Sequence, residues 1–361
     1  MNVKKTKSKN PQLPIDKKQL ALLEKLSNAC AVSGEENEVR AIILNEIKSL
    51  PVEHHIDAMG NLLVSRKSTS ENPLRVMLAA HMDEVGFMLS KDEEKGIFRF
   101  ESVGGIDPRQ LVGKTVLVGK EHHPGIIGAA PIHLVKHEEL NRKIPVDNLR
   151  IDLGPSGSTL ANIGDRATFA TTYEQVGPSL FGKAFDDRLG VATLIEMLRH
   201  PYPDLDLLAA FTVQEEVGLR GARVAGYAFN PDIAIIIDST PANDMPSWDN
   251  EENIHYNTRL GAGPAIYVAD RATISDPRLV RFIKETATAE SIPHQIRQPG
   301  GGGTDAGAIH TQRSGIPSIS ISVPARGAHT AVMIVRLEDW QHTVSLLYAA
   351  LTRITPKVLE R

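Results

Sequence analysis

The sequence predicts an α/β fold in which helices cover both faces of a mainly parallel sheet, interrupted by an inserted all-β module. Short runs rich in Val and Ile are typical of buried strands, and outside the region 86–172 they alternate with long helical patterns. Such alternation indicates a sheet layered between helices. Within 86–172 the helical patterns stop, and short alternating runs are separated by Gly, Pro and Asp, which is typical of an all-β unit.

Individual elements follow from these patterns in chain order. Asp16 is expected to cap a helix through Leu26, and Ser33 with Glu36 forms a capping-box pattern that predicts a helix through Leu50. Further helical patterns cover 188–199, 277–291 and 337–352. The predicted strands of the sheet are 62–65, 74–80, 205–213, 233–237 and 316–323. The short strands predicted for the β module are 97–100, 115–118, 125–127, 149–153 and 167–170.

The chain has 361 residues, which is more than a single hydrophobic core usually supports. We therefore expect two folded domains. Residues 1–15 carry several lysines and are expected to form a disordered basic tail. Residues 16–85 together with 173–361 would form the α/β domain, and 86–172 the inserted β domain.

Composition excludes several classes of partner. The formal net charge of −4 gives no electrostatic basis for binding nucleic acid. No apolar run approaches the roughly 20 residues that cross a bilayer, so no membrane partner is expected. Cys30 is the only cysteine, so the sequence predicts neither a disulfide framework nor a thiolate metal cluster. A cytoplasmic location is the expectation.

Candidate metal ligands follow four of the apolar runs. The residues concerned are His81 with Asp83, Glu215 with Glu216, Asp238 and His329. In an open α/β sheet such residues converge beyond the carboxyl ends of the strands. Asp186 and Asp187 precede a predicted helix and add a carboxylate that could bridge two cations. Imidazole and carboxylate without thiolate suit Zn²⁺, Co²⁺ or Mn²⁺.

Each candidate also has a simpler explanation. His81 could be a hydrogen-bonded residue at a strand end, one of the two aspartates could cap a helix, and His329 could cap or pack at a nearby helix start. Asp238 follows a buried run and could be satisfied by backbone N–H groups or a lysine. Glu215 and Glu216 could lie in a solvated loop, although adjacent carboxylates repel unless a cation or a shared proton is near. Their coincidence at strand ends favours a metal centre.

Two further patterns have weaker implications. The segment 300–307 is glycine-rich but has neither the P-loop nor the dinucleotide-binding spacing, so it predicts either a loop close to the site or a simple turn. The pairs His54-His55 and His122-His123 have no supporting residues nearby in the sequence and are expected to be ordinary surface or core residues.

Six segments around these residues match the motifs of one known family. They are AHMDEVGF at His81, AFDDRLG at Asp186, QEEVGLRGA at Glu215, IDST at Asp238, LGAGPAI at 260–266 and GGGTDAGAIH at 301–310. Together they resemble the tetrahedral (TET-type) glutamyl and leucyl aminopeptidases, cytosolic metallopeptidases with two co-catalytic ions. Their order and spacing are also similar, over nearly all of the chain beyond the tail.

The resemblance implies a metal-dependent aminopeptidase that releases N-terminal residues from short peptides. The implied ligands are His81, Asp186 and Asp238 for one ion and Asp186, Glu216 and His329 for the other. Two divalent ions are implied, with Zn²⁺ or Co²⁺ favoured and Mn²⁺ also suitable. Glu215 would be general base and acid toward a water held by both ions, and Asp83 would orient His81. The β insert would be a barrel- or PDZ-like dimerisation domain, and dimers would join into a dodecamer.

Two departures from the family pattern and two alternative functions accompany this interpretation. The family usually has a tyrosine near the last ligand where this chain has Gly327, and the segment 155–164 is shorter than in relatives.

The nearer alternative is a dimetal amidohydrolase acting on an acylated amino acid or another small amide. The more distant is a non-catalytic assembly protein, which would not need Glu215. The sequence does not indicate the preferred N-terminal residue.

Overall fold

The computed structural model describes residues 13–135, 143–246, 253, 257–298 and 300–360. Residues 1–12 of the tail expected at 1–15 therefore lie outside the described residues. Leu13 and Ile15, just after it, pack against the hydrophobic core. None of the described helices is long and apolar enough to cross a membrane.

The helices and strands lie where the hydrophobic patterns place most of them. The helices are α1 Lys17–Asn28, α2 Asn37–Ile47, α3 Phe185–Leu198, α4 Arg220–Phe229, α5 Pro277–Ala289, α6 Ala306–Ile309 and α7 Leu337–Arg353. The strands are β1 Glu53–Ile56, β2 Leu62–Arg66, β3 Leu74–His81, β4 Gly86–Asp92, β5 Ile97–Val103, β6 Thr115–Val118, β7 His123–Gly128, β8 Arg150–Asp152, β9 Arg166–Phe169, β10 Glu174–Val176, β11 Ser179–Gly182, β12 Leu205–Thr212, β13 Ile233–Pro241, β14 Ala265–Ile266, β15 Gln295–Ile296, β16 Ser318–Arg326 and β17 Met333–Arg336.

The large sheet has a parallel centre and antiparallel flanks. Its strand order is β1-β2-β12-β3-β13-β16-β17-β11-β10, and β14 pairs with β16 beside this path. The pairs β12–β3, β3–β13 and β13–β16 are parallel. Parallel pairing brings the carboxyl ends of these central strands to one edge, which is the edge that matters for the site.

Helices cover both faces of the sheet, as predicted. Val76, Leu78 and Ala80 join the larger core with α1, α2, α3, α5 and α7, whereas Met77 and Ala79 pack with α4 and α6 on the other face. This alternation follows from the two-residue period of a strand. Both sets of side chains are essentially inaccessible to solvent, which explains why the central strands are apolar without interruption.

The inserted module is a closed barrel of strands β4-β5-β8-β7-β6-β9. Closure pairs the strand edges that an open sheet of short strands would expose. Its interior combines aliphatic residues with phenylalanines, and Phe87 is in edge-to-face contact with Phe100 and Phe169 at ring-centroid distances of 5.0 and 5.4 Å. The prediction of an all-β barrel between two parts of an α/β unit is confirmed.

Two local predictions need correction. The helix expected to start at the Ser33 capping box begins at Asn37, and Glu36 provides no side-chain cap. The Ser33 hydroxyl instead donates to Asp83, a residue distant in sequence. The strand expected to end before Asp238 continues to Pro241, because its pairing with β16 extends that far. By contrast, the Asp16 cap is confirmed as a complete capping box with Gln19.

Candidate metal centre

The predicted residues converge at the carboxyl edge of the parallel strands. His81 ends β3, Glu215 and Glu216 follow β12, and Asp238 lies in the last part of β13. They line one cleft of about 840 Å³, together with Asp186 and His329. Residues from five separate segments thus meet around one space, which none of the simpler explanations requires.

Both ring nitrogens of the buried His81 face oxygen acceptors. Its Nε2 lies 3.0 Å from Asp186 Oδ1 and 3.8 Å from Asp238 Oδ1. The opposite ring nitrogen, Nδ1, lies 3.1 Å from the backbone oxygen of Asp83 and 3.5 Å from Oδ1 of its carboxylate. Burial alone would lower the pKa of His81, but the hydrogen bonds with Asp186 and Asp83 raise it well above its ordinary value. The ring is therefore held with Nε2 directed at the acidic cluster.

Asp186 connects the two histidines. Its Oδ1 faces His81, while its Oδ2 lies 3.5 Å from Nε2 of His329. Nε2 of His329 also lies 3.3 Å from Oε2 of Glu216. Although burial acts in the opposite direction, hydrogen bonding to His329 and His81 holds the pKa of the Asp186 carboxyl well below its usual range. One carboxylate thus presents each oxygen to a different imidazole.

The neighbouring Asp187 takes the capping role that the sequence assigned to one of the pair. Its Oδ1 accepts a hydrogen bond from the backbone N–H of Gly190 at 2.9 Å, and the regular part of α3 begins after Asp187, because Asp186 and Asp187 have non-helical φ/ψ. Its Oδ2 is buried with no hydrogen-bond partner among the described residues. His81, Asp187 and Asp238 have ligand atoms within 4.8 Å of one another, as have His81, Asp186 and Glu216. Asp187 is therefore a further candidate ligand, outside the set that the family resemblance implied.

Asp83 is buried and organises the loop that follows β12. Its carboxylate accepts hydrogen bonds from the backbone N–H groups of Glu215 at 3.0 Å and Glu216 at 3.2 Å, and from the Ser33 hydroxyl at 2.6 Å. The His81 ring nitrogen is nearer to the carbonyl oxygen of Asp83 than to this carboxylate. Asp83 is thus placed to position Glu215 and Glu216 as well as His81.

The remaining acids carry raised pKa values because they are buried together. Burial raises the pKa of Glu216 to about 7, with Asp186 adding a further increase and His329 opposing it. Burial is also the main cause of the raised pKa values of Glu215 and Asp238. Buried carboxyls of this kind either hold protons or need positive charge nearby. The arrangement is therefore suited to cations.

Three groups near the cluster were not singled out by sequence. The backbone oxygen of Gly105, from the barrel, lies 2.9 Å from Nδ1 of His329. Asp305 is buried, accepts a hydrogen bond from Thr212, and has a pKa raised by burial to about 6. Arg271 lines the cleft beside Gly301–303. The glycine-rich segment that contains Asp305 was the available signal, and its prediction as a loop close to the site agrees with this placement.

The loop carrying His329 differs from the expectation that a helix starts nearby. His329 lies between β16 and β17, and α7 begins only at Leu337. Gly327 has φ +74°, and a Cβ there would approach the backbone oxygen of Val332 to 2.5 Å. A tyrosine could not replace Gly327 without changing this turn. The departure from the family pattern is thus part of the local loop geometry.

Comparison with known proteins agrees with the fold. The model of the M42 glutamyl aminopeptidase family matches residues 60–346. A putative aminopeptidase of Acetivibrio thermocellus is 35% identical, covering 91% of this chain and 97% of its own length. The glutamyl aminopeptidase of Lactococcus lactis is 32% identical, with 93% and 96% covered.

Solved structures give the same result. A TET aminopeptidase from a marine sediment archaeon, Thaumarchaeota archaeon SCGC AB-539-E09, superposes with a TM-score of 0.90 at 31% identity, covering 95% of this chain and 99% of that one. The Pyrococcus horikoshii TET1 peptidase, described as assembling into a tetrahedron or a large octahedral shell, has a TM-score of 0.81 at 32% identity, with 93% and 100% covered. The chain therefore belongs to the M42 glutamyl aminopeptidase family and is a peptide hydrolase that releases N-terminal residues.

Proposed function

We propose that this aminopeptidase uses two divalent metal ions, held at the His81–His329 cluster, to hydrolyse short peptides. The observation that carries the proposal is the placement of Asp186, whose two carboxylate oxygens face different histidines. The proposed ligands are His81, Asp186 and Asp238 for one ion and Asp186, Glu216 and His329 for the other. Zn²⁺ or Co²⁺ suits this donor set best, and Mn²⁺ is also compatible.

The described residues fit such ions on chemical grounds. Buried carboxyls with raised pKa values converge there, and the buried Oδ2 of Asp187 has no hydrogen-bond partner among the described residues. Cations would neutralise these groups and satisfy the unpaired oxygen. The histidines must lose their protons to become ligands, and the pKa of His329 is raised to about 10. Metal affinity should therefore fall as the pH is lowered.

The chain's own residues account for proton transfer and positioning in the proposed mechanism. The peptide would place its free α-amino group beside the acidic cluster and its scissile carbonyl in the cleft. Glu215 would take a proton from the attacking water and pass it to the departing amine. Asp83 would hold Glu215 in place through the backbone N–H. When bound, the ions supply Lewis-acid stabilisation for the charge that develops on the carbonyl oxygen.

The function is tested by hydrolysis of aminoacyl-p-nitroanilides (Glu, Asp, Leu, Lys, Ala) after chelation and after restoring Co²⁺ or Zn²⁺. We expect release only with metal and only from substrates with a free amino group. N-acetylated versions of the same substrates are the matched control. Release from the acetylated forms alone would favour the amidohydrolase alternative. No release from any substrate, with metal bound, would contradict the proposed aminopeptidase mechanism and favour the dimetal amidohydrolase that acts on another small amide.

Substrate preference is expected to depend on Arg271. Of the arginines lining the cleft, Arg297 is buried, donates to Thr240 and Gly301, and lies over the Tyr267 ring at 4.5 Å. Arg271 is exposed, and its backbone N–H donates a hydrogen bond to the carbonyl oxygen of Gly302. Its guanidinium forms no hydrogen bond or ion pair with the described residues. Apart from the residues of the acidic cluster, the charged side chains among the described residues that line the cleft are those of Arg271 and Arg297, and both are positive. An acidic N-terminal side chain should be favoured over a basic one.

The variant Arg271→Ala should lower kcat/KM for glutamyl substrates by roughly tenfold, as expected for a hydrogen bond to a charged group. The leucyl substrate should change little. Arg223→Ala, an exposed arginine on α4 that does not line the cleft, provides the control. An unchanged ratio of glutamyl to leucyl activity in Arg271→Ala would contradict this assignment.

Assembly is proposed to involve the barrel. We keep the division into a tail (1–15), a catalytic domain (16–85 with 173–361) and a dimerisation domain (86–172). By analogy with the TET1 peptidase, copies of this chain would assemble into a large shell, with a dodecamer as the expected form. A cytoplasmic location fits this proposal. Mass measurement of the intact assembly by light scattering would test the oligomeric state.

A further inference from the structure

A second group of potential metal ligands lies away from the cleft. Cys30, Glu38 and His122 have ligand atoms that all lie within 4.8 Å of one another. They come from three segments: Cys30 lies between α1 and α2, Glu38 is in the first turn of α2, and His122 is in the turn between β6 and β7 of the barrel. We call this group the junction cluster, because it joins the sheet-bearing part of the chain to the barrel.

The junction cluster is already arranged around its carboxylate. Oε1 of Glu38 lies 2.6 Å from Nε2 of His122, and its Oε2 accepts the backbone N–H of Cys30 at 2.9 Å. An ion pair between Glu38 and His122 would account for two of the three groups. It gives no reason for the only thiol of the chain to lie beside them.

We propose that the junction cluster is a divalent metal site, separate from the catalytic centre, with Cys30, Glu38 and His122 as its protein ligands. Thiolate, imidazole and carboxylate together suit Zn²⁺ or Co²⁺. Water would supply the fourth position of a tetrahedral site.

The geometry requires only a small adjustment. Metal–ligand bonds of about 2.0–2.3 Å in a tetrahedron place ligand atoms roughly 3.3–3.6 Å apart. The contact between Glu38 and His122 would therefore have to lengthen by about 0.7 Å. Both side chains are 38% exposed, so neither is locked by packing. The separations between the Cys30 sulfur and the other two ligand atoms, which are at most 4.8 Å, would have to shorten toward that range.

The surroundings can accommodate the added charge. Cys30 and Glu38 line a cavity of about 330 Å³ together with Glu35, Lys120 and Arg166. Binding would displace the proton of the Cys30 thiol, and the thiolate with Glu38 would offset the charge of the ion. An ion there would tie the β6–β7 turn to α2.

The single cysteine makes the site selectively observable. A thiolate bound to Co²⁺ produces an intense near-ultraviolet charge-transfer band, and the proposed catalytic ligands contain no thiol. Any such band in the full-length protein must therefore come from Cys30. We expect the band to correspond to one bound Co²⁺ per chain in addition to those of the catalytic centre, to vanish in Cys30→Ser, and to be lost or strongly weakened in His122→Ala and in Glu38→Gln.

Two controls separate this proposal from other effects. His123→Ala removes the adjacent histidine, which is not part of the cluster, and should leave the band unchanged. Asp186→Asn should also retain the band even if the catalytic ions are lost, so failure of the proposed catalytic centre would not be confused with failure of the junction site. Wild-type protein that binds Co²⁺ without a charge-transfer band would overturn the proposal. A band that persists unchanged in both His122→Ala and Glu38→Gln would also overturn it, by showing adventitious thiol binding only.

Discussion

The variant Glu215→Gln is expected to bind metal normally and to lose turnover by about 10²–10⁴-fold in kcat, the usual contribution of a general acid–base group. Glu215 is half-buried at the cleft, and its partial burial raises its pKa. Its backbone N–H donates to Asp83, a contact that the amide variant keeps. Glutamine has almost the same shape but cannot accept the proton, so the chemical step should fail while the loop stays in place.

The measurement pairs steady-state kinetics on an aminoacyl-p-nitroanilide with metal analysis of the same sample. Glu71→Gln, at an exposed loop position, is the matched control and should behave as the wild type. Near-normal turnover in Glu215→Gln would remove Glu215 from the role of general base. Loss of metal together with loss of turnover would instead place Glu215 among the ligands.

The second large effect is expected for Asp186→Asn. An asparagine offers one oxygen where Asp186 presents two, so it cannot face both His81 and His329 in the same way. Even residues that only support a metal ligand typically change affinity by about 10–100-fold, and a shared ligand should have at least that effect on both ions. Activity should fall with the loss of metal.

Metal-to-protein ratios after dialysis provide the test. Asp147→Asn, an exposed aspartate of the barrel region, should retain the wild-type ratio. His329→Ala should lose mainly one of the two ions, since His329 faces Glu216 and Asp186 but is not paired with Asp238. A wild-type ratio in Asp186→Asn would refute the shared-ligand role, and full occupancy in His329→Ala would refute that of His329.

The sequence correctly predicted the elements whose limits depend on local patterns along the chain. The strand β3 and the helix α7 have long, regular apolar periods, and their observed limits differ little from the predicted ones. The cap at Asp16 was also predictable, because its partners are the next residues along the chain. Local interactions of this kind can be read without knowing what lies across the core.

The site was predictable as a set of residues but not as a geometry. His81, Glu215 and His329 follow apolar runs, and parallel strands bring such positions to one edge. Residue patterns alone did not distinguish Asp186 from Asp187, and only the family resemblance pointed to Asp186; the structure shows that Asp186 is the one that faces both histidines. That choice depends on the start of α3, where the Asp187 carboxylate is occupied by the N–H of Gly190.

The sequence by itself determined the alternation of helices and strands, the β insert and the identity of the candidate ligands, since each is a property of neighbouring residues or of a short motif. The tertiary structure decided the rest. Ser33 does not cap α2, and its hydroxyl instead donates a hydrogen bond to Asp83, which follows β3. Cys30, Glu38 and His122 meet only because the barrel folds against α2. Contacts between distant segments have no local signature, so only the folded chain reveals them.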